Sequence, residues 1–167
     1  DTSSDDGAEG VAAWMQAQLR QPSHIFSRLL LLCHGRNAGL ATARNTAFAA
    51  AQAPWCLVLD ADNALYPPAV QACLQLATCG DNRLAVVHPL LAVQVEPGRP
   101  DDQRSLVRSQ SWQRGRFCFE NMVDAMALVR RSAWEKAGGY THIEGGWEDF
   151  DFWCKLIEAG FHGIQCP

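Results

Sequence analysis

Two short, uninterrupted apolar runs, Leu-Leu-Leu-Leu-Cys at residues 29–33 and Trp-Cys-Leu-Val-Leu at 55–59, constrain this chain more than any other feature. A strand with one wet face alternates apolar and polar residues, so unbroken runs of this length read as strands buried on both faces of a parallel sheet. Between them residues 38–52 are Ala-rich, with Leu40, Ala43, Ala47, Phe48 and Ala51 on one stripe, which predicts a helix pressed against that sheet and stopped by Pro54. The same alternation continues. Val11, Trp14, Met15 and Leu19 predict a helix over 8–20 ended by Pro22. Pro67 and Pro68 open another, with Val70, Cys73, Leu74 and Ala77 as its apolar face up to Gly80. Residues 84–87 and 125–129 read as further strands, the latter followed by a short helix capped by Ser132 and ended by Gly138-Gly139, and a last helix begins near Trp147 with Phe150, Trp153, Cys154 and Ile157 facing the core. Residues 96–120 carry no pattern, and 97–102 read as an exposed loop. Strands alternating with helices predict an α/β layered fold with a mainly parallel sheet, in which ligands bind outside the carboxyl ends of the strands.

The 167 residues suit one domain, and 48% hydrophobic with 19% charged residues is the balance of an ordinary folded protein. A net charge of -4 gives no field for phosphate neutralisation, so nucleic acid is not expected as a partner. Arg99, Arg104, Arg108, Arg114 and Arg116 share one polar stretch, which reads as a solvated loop. The longest apolar run, 29–33, is far shorter than the roughly 20 residues of a membrane span. The start, Asp-Thr-Ser-Ser-Asp-Asp, is not a signal peptide, and the absence of an initiating Met is read as a piece of a longer polypeptide. Seven cysteines with no C-x-x-C pair point to reduced thiols and a cytoplasmic setting rather than a zinc or redox site.

Three groups of residues are placed for chemistry. Asp60 and Asp62 follow the 55–59 strand, and in extended geometry both side chains point to one side, so two carboxylates meet at the sheet's binding edge. Hard oxygen ligands with open positions suit Mg²⁺ or Mn²⁺, although a turn rich in Asp and Asn needs no metal. Glu148 and Asp149 start the last helix, where acids are favoured by the partial positive charge of the helix end. The Gly145-Gly146-Trp147 turn can equally deliver a carboxylate into a site as a general base, the second acid orienting a ligand or capping the helix. Asn37-Ala38-Gly39 turns into the Ala-rich helix, and Arg44 reaches a nucleotide, pairs with Asp60 or forms a surface salt bridge.

Taken in order, Asn37-x-Gly39-x-x-x-Ala43-Arg44-Asn45, Leu59-Asp60-Ala61-Asp62, Gly138-Gly139-Tyr140 and Trp147-Glu148-Asp149-Phe150-Asp151 resemble the family-2 glycosyltransferases of the GT-A fold. The resemblance runs from Asp1 to Gly160 and implies a three-layer α/β/α sandwich whose first strand is missing from this chain. It implies inverting transfer of a sugar from a nucleotide-diphosphate donor, a UDP-sugar, to a hydroxyl of a saccharide, lipid-linked or protein acceptor. By resemblance Asp60 contacts the donor ribose and Asp62, with Asp60, holds Mn²⁺ or Mg²⁺ on the diphosphate. Arg44, Asn37, Gly39 and Asp1 belong to the donor side. Asp149 is the general base, Glu148 assists acceptor binding, and Trp147 and Asn121 belong to the acceptor pocket. Asn63 stands where many relatives have a further Asp, and the five histidines are read as structural or exposed. Two rivals remain open: a carbohydrate-binding or scaffolding domain that kept the fold without catalysis, and a sugar nucleotidyltransferase, for which the expected Gly-rich basic phosphate loop is lacking.

Overall fold

A computed structural model describes residues 7–93, 105–107 and 110–167. Asp1, the arginines at 99, 104 and 108 and the predicted loop at 97–102 lie outside the described residues. The chain divides into two compact units, Asp1–Ala50 and Ala51–Pro167.

The first unit holds helices α1 (Gly7–Leu19) and α2 (Gly39–Ala50). Both lie where helical spacing predicts them, but their faces differ from expectation. α1 buries no residue. Its Trp14 meets Phe26 edge to face at 6.0 Å. α2 buries Ala41, Arg44 and Phe48, while Leu40 and Ala47 are exposed, so its inner stripe is rotated from the predicted one. Alanine is small enough to sit on either side, which is why an Ala-rich helix leaves its facing ambiguous. The run at 29–33 is not a strand, and Leu30, Leu31 and Leu32 are exposed. A run becomes a strand only where a neighbour takes up its amide and carbonyl groups, and the first unit holds no described strand.

The second unit is built on a four-stranded sheet in the order β1-β5-β2-β6, formed by β1 (Trp55–Leu57), β2 (Leu84–Pro89), β5 (Leu128–Arg130) and β6 (His162–Cys166). A separate ladder pairs β3 (Leu91–Val93) with β4 (Ser105–Val107). β2 and β6 are parallel, whereas β5 is antiparallel to both its neighbours, so the sheet is mixed rather than mainly parallel. Strand-helix alternation yields parallel strands only where a helix carries the chain back across the sheet. Between β2 and β5 the chain has the β3–β4 ladder and a 3-10 turn at Arg114–Cys118 instead, and it enters β5 from the opposite end.

Helix α3 (Ala69–Cys79) places Cys73 and Ala77 against Leu84, Val87, Leu128 and Cys166, with Ala72 and Leu76 alongside. Of its predicted face, Val70 and Leu74 are exposed. α4 (Arg131–Ala137) begins after Arg130 with no side-chain cap, so Ser132 does not cap it, and it ends at Gly138 with φ 79°. α5 (Glu148–Glu158) buries Phe152, Trp153, Leu156 and Ile157, while Phe150 and Cys154 are only half-buried. Trp112 lies over the Gly163 backbone so closely that a Cβ there would stand 2.3 Å from its ring, which makes glycine a packing requirement. β5 is shorter than the predicted 125–129 because Asp124 Oδ1 accepts the Met126 amide at 2.9 Å and folds that stretch into a turn. The seven cysteines are free thiols. Burial, reinforced by the adjacent Cys166, pushes Cys73 up to about 12. No helix among the described residues is long and apolar enough to cross a membrane.

Candidate active site

Three of the segments that join the strands meet at one end of the sheet. β1 and β2 both run antiparallel to β5, and the Val58 amide donates to Ala127 O at 3.1 Å. The segments leaving β1 and β2 and the one entering β5 therefore share an edge. The Asp60–Asn63 segment leaves β1 there as a turn closed by the Asn63 amide on Asp60 O at 3.1 Å. This corrects the extended geometry expected for Asp60 and Asp62, because strand alternation does not operate in a turn. Asp60 is half-buried, and Asp62 is exposed, its Oδ1 accepting from Asn63 Nδ2 at 3.1 Å. The turn thus presents oxygen donors to solvent. Among the described residues no three His, Cys, Asp or Glu side chains converge to hold a metal by themselves. One or two exposed carboxylates fit a hard divalent ion whose remaining ligands are ligand phosphates and water.

A cleft of about 280 Å³ opens in the same unit, with Asn121, Met122, Val123 and Asp124 on one side and Gly145, Gly146, Trp147 and Asp149 on the other, Leu91 completing it. Asn121 Nδ2 donates to Asp149 Oδ2 at 2.9 Å, joining residues 28 apart in sequence, and the Phe150 amide donates to Asp149 Oδ1 at 2.8 Å. Asn121 is held in turn, its Oδ1 accepting the Val123 amide at 3.3 Å. The fully buried Trp153 ties Val123 to α5 through an Nε1 bond of 3.0 Å to the carbonyl. The carboxylate is thereby fixed in orientation by a donor to each of its oxygens.

Gly145 and Gly146 have φ of 93° and 87°, a region closed to most side chains, and the turn they make leaves Trp147 53% exposed at the cleft. Glu148 points elsewhere. It is 5% exposed, is not among the residues lining the cleft, and has His142 Nδ1 at 3.7 Å. Lys155 secures the chain leading into this turn, pairing with Asp151 at 2.7 Å and donating to Gly139 O at 3.3 Å and to Thr141 Oγ1.

The structure therefore brings Asp149, Asn121 and Trp147 around one cleft and sets Glu148 behind it. Asp124, exposed and lining the cleft, is the residue that sequence reasoning missed. It precedes the apolar stretch 125–129, whereas Asp60 follows one, so the signal that singled out Asp60 did not mark it. In the first unit Asn37 Oδ1 accepts the Gly39 amide at 2.9 Å, an Asx turn that leads into α2 and gives the Asn-x-Gly pattern a structural role. Arg44 is 9% exposed, not a surface arginine. His88, near the end of β2, is buried with no hydrogen-bond partner for Nε2, and burial lowers its pKa from 6.5 to about 4.

A model of the family described as Glycosyl transferase family 2 matches residues 1–138. A Haemophilus influenzae protein described as an uncharacterized glycosyltransferase is 25% identical over 124 residues, covering 73% of this chain and 42% of that protein. The chain thus spans less than half the length of the curated relative it matches. α5, with Glu148 and Asp149, lies beyond the family match. A match extending over residues 1–138 of 167 establishes that this chain belongs to glycosyl transferase family 2.

Proposed function

We propose that this domain transfers a sugar from a nucleotide-diphosphate donor, a UDP-sugar, to an acceptor hydroxyl with inversion at the anomeric carbon, Asp149 acting as the general base. The observation that carries this reading is the Asn121–Asp149 hydrogen bond of 2.9 Å at the wall of the cleft. A hydroxyl is a weak nucleophile until its proton is taken, and general-base catalysis contributes about 10²–10⁴-fold. Asp149 accepts that proton as the acceptor oxygen attacks, and the bond from the anomeric carbon to the diphosphate breaks. Asn121 keeps the carboxylate aimed at the cleft. Trp147 offers a half-exposed ring against which a sugar stacks.

Asp60 and Asp62 are the residues that would hold Mn²⁺ or Mg²⁺, which when bound supplies charge stabilisation to the leaving diphosphate. Their own contribution is a turn that presents carboxylate oxygens at the sheet edge. The domain is an α/β fold of the kind the GT-A enzymes use, and holding donor and acceptor in line accounts for much of the remaining acceleration.

The test supplies the intact protein with UDP-sugars, Mn²⁺ and simple glycoside acceptors. The expected result is metal-dependent release of UDP and a product whose anomeric configuration, read by NMR, is opposite to the donor's. Release of pyrophosphate, or a product with retained configuration, overturns the proposal.

A further inference from the structure

The other acid at the start of α5 has a task of its own, an inference that rests on the reading of the cleft as the acceptor site. Consecutive helix residues point about 100° apart, so Glu148 and Asp149 cannot share a direction. Asp149 lines the cleft, whereas Glu148 is buried, with His142 Nδ1 3.7 Å from its Oε1. The partial positive charge at the helix end favours an acid at this position. Burial adds a demand that an exposed acid would not make, because a carboxylate taken out of water needs groups that compensate its charge. His142, itself exposed, supplies one from the loop that precedes the helix.

The two residues stand at the ends of one loop. Between them lie Gly145 and Gly146, with φ of 93° and 87°, and Trp147, whose half-exposed ring lines the cleft. Two adjacent glycines give such a loop many conformations to lose when it orders, and a contact that joins its ends removes part of that freedom. Within the loop the Gly146 amide donates to Ile143 O at 3.2 Å. On the approach to it Lys155 of α5 donates to Gly139 O at 3.3 Å and to Thr141 Oγ1. The contact of Glu148 with His142 continues this series, tying the loop to the same helix whose first turn carries Asp149. The indole and the carboxylate are thereby placed by one element. We propose that Glu148 is a positioning residue: through His142 it closes the 142–148 loop and holds Trp147 at the cleft, instead of touching the acceptor itself.

The experiment labels the intact protein with 5-fluorotryptophan, identifies the Trp147 fluorine resonance by its loss in Trp147→Phe, and compares His142→Gln, Glu148→Gln and the double variant. The Trp147 resonance is expected to shift in all three. The acceptor KM should rise about five-fold in each single variant and no further in the double one, because both substitutions break the same contact. Asp149 keeps its bond from Asn121, so kcat should stay within about two-fold. His142→Lys, which returns a cation to the loop, should bring KM back to within about two-fold of the unaltered protein. A Trp147 resonance and KM unmoved in His142→Gln overturn the inference, and since His142 is exposed this test stands even where Glu148→Gln fails to fold. A rise in KM confined to Glu148→Gln, or single effects that multiply in the double variant, also overturns it. These outcomes are separate from those of the catalytic reading. A retained-configuration product would remove Asp149 as the base and leave the fluorine comparison standing, whereas inverting transfer with an unmoved Trp147 resonance in His142→Gln would remove this role of Glu148 alone.

Discussion

The two carboxylate-bearing regions of this domain are built in opposite ways. Asp60 and Asp62 sit in a turn closed by the Asn63 amide on Asp60 O and by Asn63 Nδ2 on Asp62 Oδ1, and Asp62 faces solvent. Asp149 is held by Asn121 from a segment far away in the chain, and that segment is tied to α5 by the buried Trp153. The first arrangement is local and adaptable, which suits a ligand that brings its own charge and metal. The second is preorganised through the core, which suits a group that must receive a proton from one direction. If that contrast is right, damage to the core should spoil the cleft and leave the turn, while damage to the turn should leave the fold.

The largest effect is expected from Trp153→Ala, which removes a fully buried side chain and the Val123 anchor together, at a cost of about 3–5 kcal/mol in unfolding free energy by denaturant titration. A milder Trp153→Phe keeps most of the volume and should lower turnover more than UDP affinity. A variant in which both fall equally would break the contrast.

Acid is expected to act next. In the folded protein His88 takes its proton at about 4 rather than 6.5, so between those values the unfolded chain holds the extra proton, and stability falls as pH drops through that window. The loss approaches about 3 kcal/mol at the acid end and should be absent above neutrality. Asp81 works in the same direction. The hydrogen bond from His162, with the Arg83 and Leu84 amides, holds its carboxyl below the usual range, so its contribution is present above the unfolded value and vanishes as pH falls through the folded one. Thermal melts at pH 7 and pH 4.5 test this, and His88→Leu should flatten the difference.

A smaller change, about ten-fold in kcat or 1.4 kcal/mol, is expected for Asn121→Ala, because Asp149 keeps its charge but loses its orienting donor. UDP binding should be unaffected. Smallest of all for the fold is Asp62→Ala, which should change unfolding free energy by less than about 0.5 kcal/mol while removing metal-dependent UDP binding in calorimetry. Metal dependence that persists in that variant would sharpen the assignment toward Asp60.

The same local-versus-distant distinction explains what was legible in the sequence. α3, β2 and α5 follow from their own residues: Pro68 before α3, the Leu-Ala-Val-Val run in β2 and, for α5, Trp153 and Ile157, the two members of the expected face that are buried. The run at 29–33 has equal strand character and forms none, because pairing depends on a neighbour rather than on composition. β6 went unread because His-Gly-Ile-Gln-Cys shows little apolar pattern, its place being set by pairing with β2 and by Trp112 over Gly163. The acids were visible because Asp60, Asp62 and Asp149 stand beside recognisable elements. Their environments were not: nothing near Glu148 in sequence distinguishes a buried carboxylate from the cleft-facing one beside it, and nothing near Asp124 foretells that it lines the same cleft.

In the proposed reaction Asp149 removes the acceptor's proton. Asp149→Asn preserves the shape and one of the two accepting oxygens, which keeps one of the bonds from Asn121 and Phe150, but cannot take that proton, so turnover and UDP affinity should be measured on the same preparation of the intact protein. UDP affinity is expected within about two-fold of the unaltered protein and turnover lower by about 10²–10⁴-fold. Turnover within a few-fold of the unaltered protein, with UDP still bound, would contradict that role for Asp149.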